Sequence, residues 1–174
     1  IREHNLKTSL AITTNIGCRN MCRYCPQKTV IRAYRQRSEE QMMSFETFRK
    51  CLKSVPREVP LSFSGFSEPW LNPLCTSMVR YAHEQDFAIR VNTTLIGMNT
   101  DDIHQLAAIP FIKFVVHLPD NQKMTRIRVD QTYLDNVSLL CESGMASLHW
   151  KFHKSSPRIQ IHRDVNQVLE GHRA

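Results

Sequence analysis

Three cysteines stand within eight residues in Cys18-Arg19-Asn20-Met21-Cys22-Arg23-Tyr24-Cys25, a C-x3-C-x2-C spacing. Packing gives no reason for such density, and thiols this close in the chain point towards one centre. Two ligand chemistries could use them. A structural zinc ion needs four protein ligands in a closed tetrahedron. An iron–sulfur cube can be held by three thiolates, with one iron left to an outside ligand. Pro26-Gln27-Lys28 follows and the next cysteine is Cys51, so no fourth Cys or His lies at short spacing. Three ligands with a free fourth position favour a reactive cluster over a structural one.

The hydrophobic pattern predicts the elements that hold this loop. Leu6 to Asn15 alternates around Leu10 and Ile12 as a first strand, with the cysteines at its end. Residues 26–43, carrying Arg32, Arg35, Arg37, Glu39 and Glu40, read as a polar loop. Ser44 caps a helix whose buried side is Phe45, Phe48, Leu52 and Val55, and Pro56 ends it. Leu61-Ser62-Phe63-Ser64 is a second strand. Asn72 then caps a helix with Pro73 in its first turn and Leu74, Met78 and Ala82 as its stripe. Ala88 to Thr94 is a third strand broken by Gly97, and Thr100 caps a short helix through Ile103, Leu106 and Ala107 that Pro110 closes. Phe111 to Leu118, interrupted by Lys113 and His117, reads as a strand buried on both faces. Tyr133, Val137 and Leu140 mark a helix closed by Gly144. Ala146 to His153 is a fifth strand with one polar face, and Val165 to Leu169 a last helix. Strands alternating with helices mean parallel pairing. In such folds ligands collect at the carboxyl ends of the strands, where the cysteine loop lies.

C-x3-C-x2-C with an aromatic residue, Tyr24, just before the last cysteine resembles the signature of the radical S-adenosylmethionine (SAM) enzymes. The resemblance implies that Cys18, Cys22 and Cys25 hold a [4Fe–4S] cluster whose open iron is chelated by SAM. Reductive cleavage of SAM then gives methionine and a 5′-deoxyadenosyl radical, which abstracts a hydrogen from a substrate. About forty residues on, Gly65-Phe66-Ser67-Glu68-Pro69 resembles the family's glycine-glycine-glutamate-proline motif, with Phe66 and Ser67 where glycines are usual. By that resemblance the backbone there, with Ser67 and Glu68, binds the SAM amino group. Thr93, in Asn92-Thr93-Thr94, takes the SAM carboxylate; His117, in His117-Leu118-Pro119-Asp120, the ribose hydroxyls; and Tyr24 the adenine. Lys151 could meet the same carboxylate but is left unassigned, and no side chain is assigned as a general acid or base. The family's fold is a curved partial (β/α) barrel of six units. Five are counted here, so an α/β partial barrel of five to six units is expected, with the sixth missing or beyond Ala174. A flavodoxin- or ferredoxin-type one-electron donor is implied. Met42 or Met43, Ser44 and Phe45, followed by Ser64 to Pro69, resemble the branch with a cysteine-rich C-terminal extension, many of whose members modify peptides. Ala174 falls inside a predicted helix with no such extension.

The 174 residues suit one domain, 1–174, and the start at Ile1 implies that residues upstream were removed or are not seen. Cys51, Cys75 and Cys141 fall on separate predicted helices and read as buried free thiols rather than a disulfide framework. An exposed thiolate cluster needs a reducing compartment, so a cytoplasmic protein is expected. No apolar run is long enough to span a bilayer. The net charge of +7 comes from scattered Lys and Arg, locally dense at Arg32, Arg35 and Arg37 and from Arg158 to Arg173. It reads first as a solvated basic surface, and otherwise as attraction of an anionic substrate or a reducing partner. The rival function is a non-catalytic zinc or iron–sulfur module that binds nucleic acid; the basic charge favours it, and the Glu68 motif and strand–helix alternation oppose it.

Overall fold

A computed structural model describes residues 8–152 and 156–172. Parallel pairing of short strands organises them. Strands β1 (Leu10–Ile12), β2 (Leu61–Phe63), β3 (Ile89–Thr93), β4 (Lys113–His117) and β5 (Leu148–Lys151) form one sheet in the order β1-β2-β3-β4-β5, every neighbouring pair parallel. Helices α1 (Gln27–Arg35) and α2 (Phe45–Leu52) follow β1. Helices α3 (Cys75–Glu84), α4 (Thr100–Leu106), α5 (Gln131–Glu142) and α6 (Arg163–Gly171) follow β2 to β5 in turn. The strand order never reverses, as it would at the switch point of a doubly wound sheet, so the chain winds one way as in a barrel. β1 and β5 do not pair with each other. The result is an open, partial (β/α) barrel of five units.

One face of the sheet is packed. Leu61, Phe63, Ile89, Val91, Phe114 and Val116 alternate along β2 to β4 and are essentially sealed from solvent in a single core cluster. Phe48 of α2 stacks on Phe63 with ring centroids 5.9 Å apart, and Trp70 and Phe111 flank Phe114 at 6.3 and 5.2 Å. Such aromatic contacts add to the area each ring buries. The Trp70 indole N–H donates to Thr76, whose hydroxyl donates to Asp102, so these three residues are joined in one relay. The period of two along each strand sends Ser62, Arg90, Asn92, Lys113, Val115, His117, His149 and Lys151 to the opposite face.

Several details differ from the pattern expected. Residues 27–35 form α1 rather than loop; Gln27 is buried and Val30, Ile31 and Tyr34 are half-buried at helical spacing, a short stripe set among the exposed Lys28, Arg32 and Arg35. The cap of α3, which starts at Cys75, is Leu74 rather than Asn72; the Asn72 Oδ1 accepts from the Leu74 N–H, and its amide donates to the carbonyls of Thr14 and Met43. The cap of α4 is Asn99, one residue before Thr100, in a reciprocal box with Asp102. Leu74 is 41% exposed, and the stripe of α3 is Cys75, Met78, Val79 and Ala82. Cys51 is exposed, whereas Cys75 is buried and Cys141 half-buried. β4 is not sealed on both sides: Lys113 is exposed and His117 half-buried, and only Val115 on that face is buried. Ser44 caps α2 by accepting from the Thr47 N–H, and Gly144, at φ +65°, follows the end of α5 as expected. The start of the first predicted strand, before residue 8, and His153 lie outside the described residues. No described helix is long and apolar enough to cross a membrane.

Candidate cluster and cofactor site

The loop after β1 is pinned on both sides before it reaches the cysteines. Asn15 bridges Met42, the Ile16 N–H donates to Gln41, and the Asn15 amide donates to the Gly17 carbonyl. Beyond them, the Arg23 N–H donates to the Met124 carbonyl in the loop after β4. That second loop is folded around Asp120, which accepts from the Met124 and Thr125 N–H groups and the Thr125 hydroxyl. Burial pushes the Asp120 carboxyl up, yet these donors outweigh it and hold the group below its usual range. Met21, in the middle of the cysteine loop, has φ +46°, a conformation rare outside glycine.

Cys18, Cys22 and Cys25 are all half-buried. Burial pushes the Cys18 thiol up to about 11, against the Asn20 N–H that donates to its sulfur; Glu68, Cys22 and Cys25 raise it further. Burial also raises Cys22, opposed by the Arg126 N–H and by the Tyr24 hydroxyl, which bonds to its sulfur. Tyr24 itself stands 44% exposed on the rim. Among the described residues no three His, Cys, Asp or Glu side chains converge to hold a metal ion. Among those residues no fourth ligand completes a tetrahedral zinc site. In a cube each thiolate binds a different iron, so its ligands need not meet at one point. The donor set fits that demand: three thiols on one rim loop, two with backbone N–H groups aimed at their sulfurs, and among the described residues no fourth ligand beside them.

The second motif is tied to the first. Glu68 is 1% exposed and is held at one end of the sheet by β3: Oε1 accepts from the Thr93 hydroxyl at 2.5 Å, and Oε2 accepts from the Thr94 N–H and hydroxyl, both at 2.6 Å. Thr94 in turn accepts from the Asn20 amide at 2.9 Å. Because the Thr94 proton is committed to Glu68, Asn20 must present its NH2 to Thr94, which leaves its Oδ1 buried without a partner. The chain Asn20–Thr94–Glu68–Thr93 therefore joins the cysteine loop, the loop after β2 and the end of β3. Burial lifts Glu68 to about 7 despite these three donors and a fourth, the Trp70 N–H. Gly65, at φ +129°, lies so close to Thr13 that a Cβ would stand 2.6 Å from its hydroxyl, so only glycine fits. The Gln27 amide of α1 donates to the Phe66 carbonyl.

The residues expected at SAM thus divide by exposure. Glu68 and Thr93 are sealed and spent on each other. Ser67 is half-buried, and its hydroxyl is a buried atom with no partner. His117 ends β4 beside Lys151 on the open face, and burial, then the neighbouring Lys151 charge, lower its pKa. Sequence reasoning missed Asn20, whose partner lies 74 residues away. It also missed the polar side of α5: the Tyr133 hydroxyl and Asn136 Oδ1 are buried without partners, and with Asn20 these residues line a hollow of about 440 Å³ behind the cysteine loop.

No protein-family model matches this chain, and no curated protein matches its sequence. Among solved structures it resembles the crystal structure of BtrN in complex with AdoMet and 2-DOIA, with a TM-score of 0.61, 16% identity, and coverage of 87% of this chain and 59% of that one. It also resembles selenomethionine-labelled BtrN in an open conformation, with a TM-score of 0.54 and 15% identity over the same shares. At such identity the likeness is one of fold. The chain spans 59% of the length of these structures.

Proposed function

We propose that the chain is the core of a radical SAM enzyme, in which Cys18, Cys22 and Cys25 hold a [4Fe–4S] cluster and SAM docks beside it on the rim. One observation supports this most: the buried link from Asn20 through Thr94 to Glu68, which fixes the cysteine loop against the loop after β2. Two sequence motifs forty residues apart are thereby held as one surface. The likeness of fold to BtrN, crystallised with AdoMet, points the same way.

When bound, the cluster supplies an electron that cleaves the SAM sulfonium bond; the chain's residues bind and orient. The three thiolates are the iron ligands, and the Asn20 and Arg126 N–H groups bond to the sulfurs of Cys18 and Cys22. Glu68, being sealed, acts as a positioning residue: with Thr93 it fixes the loop whose backbone faces the SAM amino group. The unpartnered Ser67 hydroxyl is the side-chain atom in that loop left to receive a ligand. His117, kept neutral, takes the ribose hydroxyls, and Tyr24 the adenine. An external one-electron donor of flavodoxin or ferredoxin type reduces the site.

Anaerobic reconstitution with iron and sulfide, reduction, and addition of SAM tests this reading. The expected product is 5′-deoxyadenosine, lost in Cys22→Ala. A colourless protein that forms none, or a Cys22→Ala variant that still does, overturns it.

A further inference from the structure

The open face of the sheet has the wrong chemistry for a structural surface. Parallel sheets are normally buried on both sides, and the inside of a closed (β/α) barrel is packed with branched apolar residues. Here that face carries Ser62, Arg90, Asn92, Lys113, His149 and Lys151, which line a cavity of about 390 Å³. Three of the six are fixed cations, and among the described residues no carboxylate lines the cavity. Among the described residues none of Arg90, Lys113 and Lys151 forms an ion pair, and Arg90 Nε is sealed from solvent without a partner. A half-buried guanidinium with no counter-charge is costly unless an anion completes it.

The register fixes where the charges stand. Arg90 and Lys113 are directly paired on β3 and β4, flanked by Ser62 on β2. His117 and Lys151 are paired at the rim, four residues further along β4. At about 3.3 Å per residue, the Arg90–Lys113 pair lies some 13 Å beneath the rim. SAM docked at the rim has no claim on charges that deep.

We infer that the cavity under the rim binds the anionic end of the substrate, a carboxylate or a phosphate monoester held by Arg90 and Lys113, with its reacting end towards the cysteine loop. The role as substrate site rests on the radical SAM reading; the anion site itself does not. Arg90 offers a planar fork suited to two oxygens of one anion, Lys113 a point charge beside it, and Ser62 and Asn92 neutral hydrogen bonds.

Trp150 pairs with Val116 on the packed face, so isothermal titration calorimetry rather than tryptophan fluorescence reads occupancy. Titrating the iron-free chain with hexyl phosphate, heptanoate and hexanol should give saturable binding of one or both anions and none of the alcohol; which anion binds tighter assigns the head group. Lys113→Gln, at an exposed position that folding tolerates, and Arg90→Gln should each weaken binding about tenfold, and Lys53→Gln, the exposed residue that caps the end of α2 outside the cavity lining, should not. Equal binding by wild type and the Lys113→Gln and Arg90→Gln variants, or binding of hexanol as good as that of the anions, overturns the inference. SAM cleavage by reconstituted wild type is read separately: cleavage without anion binding refutes this inference alone, and anion binding without cleavage refutes the radical SAM reading alone.

Discussion

The two faces of one sheet make opposite use of the same strands. Phe63, Val91, Phe114 and Val116 are sealed against the helices, while Ser62, Asn92, Lys113 and His117, their immediate neighbours in the chain, stand on the open side. The first face is explained by burial alone. The second is not: its charges contribute nothing to a core, and among the described residues they form no ion pair. A period of two thus separates, residue by residue, what holds the barrel from what the barrel holds. The cysteine loop sits where the two meet, at the ends of the strands.

The largest effects should come from that junction. Replacing Cys18, Cys22 or Cys25 by Ala should each remove SAM cleavage to the limit of detection, while thermal melting of the iron-free chain shifts little; a variant that keeps turnover breaks the assignment of that residue. On the packed face, Phe114→Ala leaves a cavity beneath Trp70 and Phe111 and should cost about 3–5 kcal/mol in urea unfolding. A loss below about 1 kcal/mol would mean that this face is not the core it is taken for.

Glu68 belongs to neither face, and pH sharpens its role. The unfolded chain releases its proton near 4.5 and the folded one near 7. Between those values the folded state holds more protons, so stability should fall as pH rises, by up to about 3 kcal/mol across the window. Glu68→Gln should flatten that slope; a slope unchanged in the variant would place its origin elsewhere. The smallest effect belongs to the open face: Ser62→Ala should change stability by less than about 0.5 kcal/mol. A larger loss there would mean that the open face carries structural load after all.

Much of this was legible in the sequence because burial writes a period. All five strands and five of the six helices among the described residues were read from it, since each puts residues such as Phe48, Met78, Ile103 or Val137 against the core. α1 was missed although Val30, Ile31 and Tyr34 repeat at helical spacing beside Gln27, because that stripe is only half-buried and the run of Lys28, Arg32, Arg35 and Arg37 reads as a polar loop. The cap of α4 was misread by one residue because Asn99 and Thr100 both suit the position; the carboxylate three residues after Asn99 is the signal that decides. The cysteine triad and the Glu68 motif were visible as spacings. The bond that joins them was not, since nothing local in Asn20 points to Thr94. The sealing of Glu68 was equally hidden: the motif names a carboxylate, and only the fold shows that Thr93 and Thr94 have already taken it.

The central claim is that three thiolates on the rim leave one iron free for SAM. Electron paramagnetic resonance of the reconstituted, reduced chain tests it most directly. About four irons per chain and a cluster signal whose g values change when SAM is added are the predicted result. A chain that takes up no iron, or a signal indifferent to SAM, would contradict it.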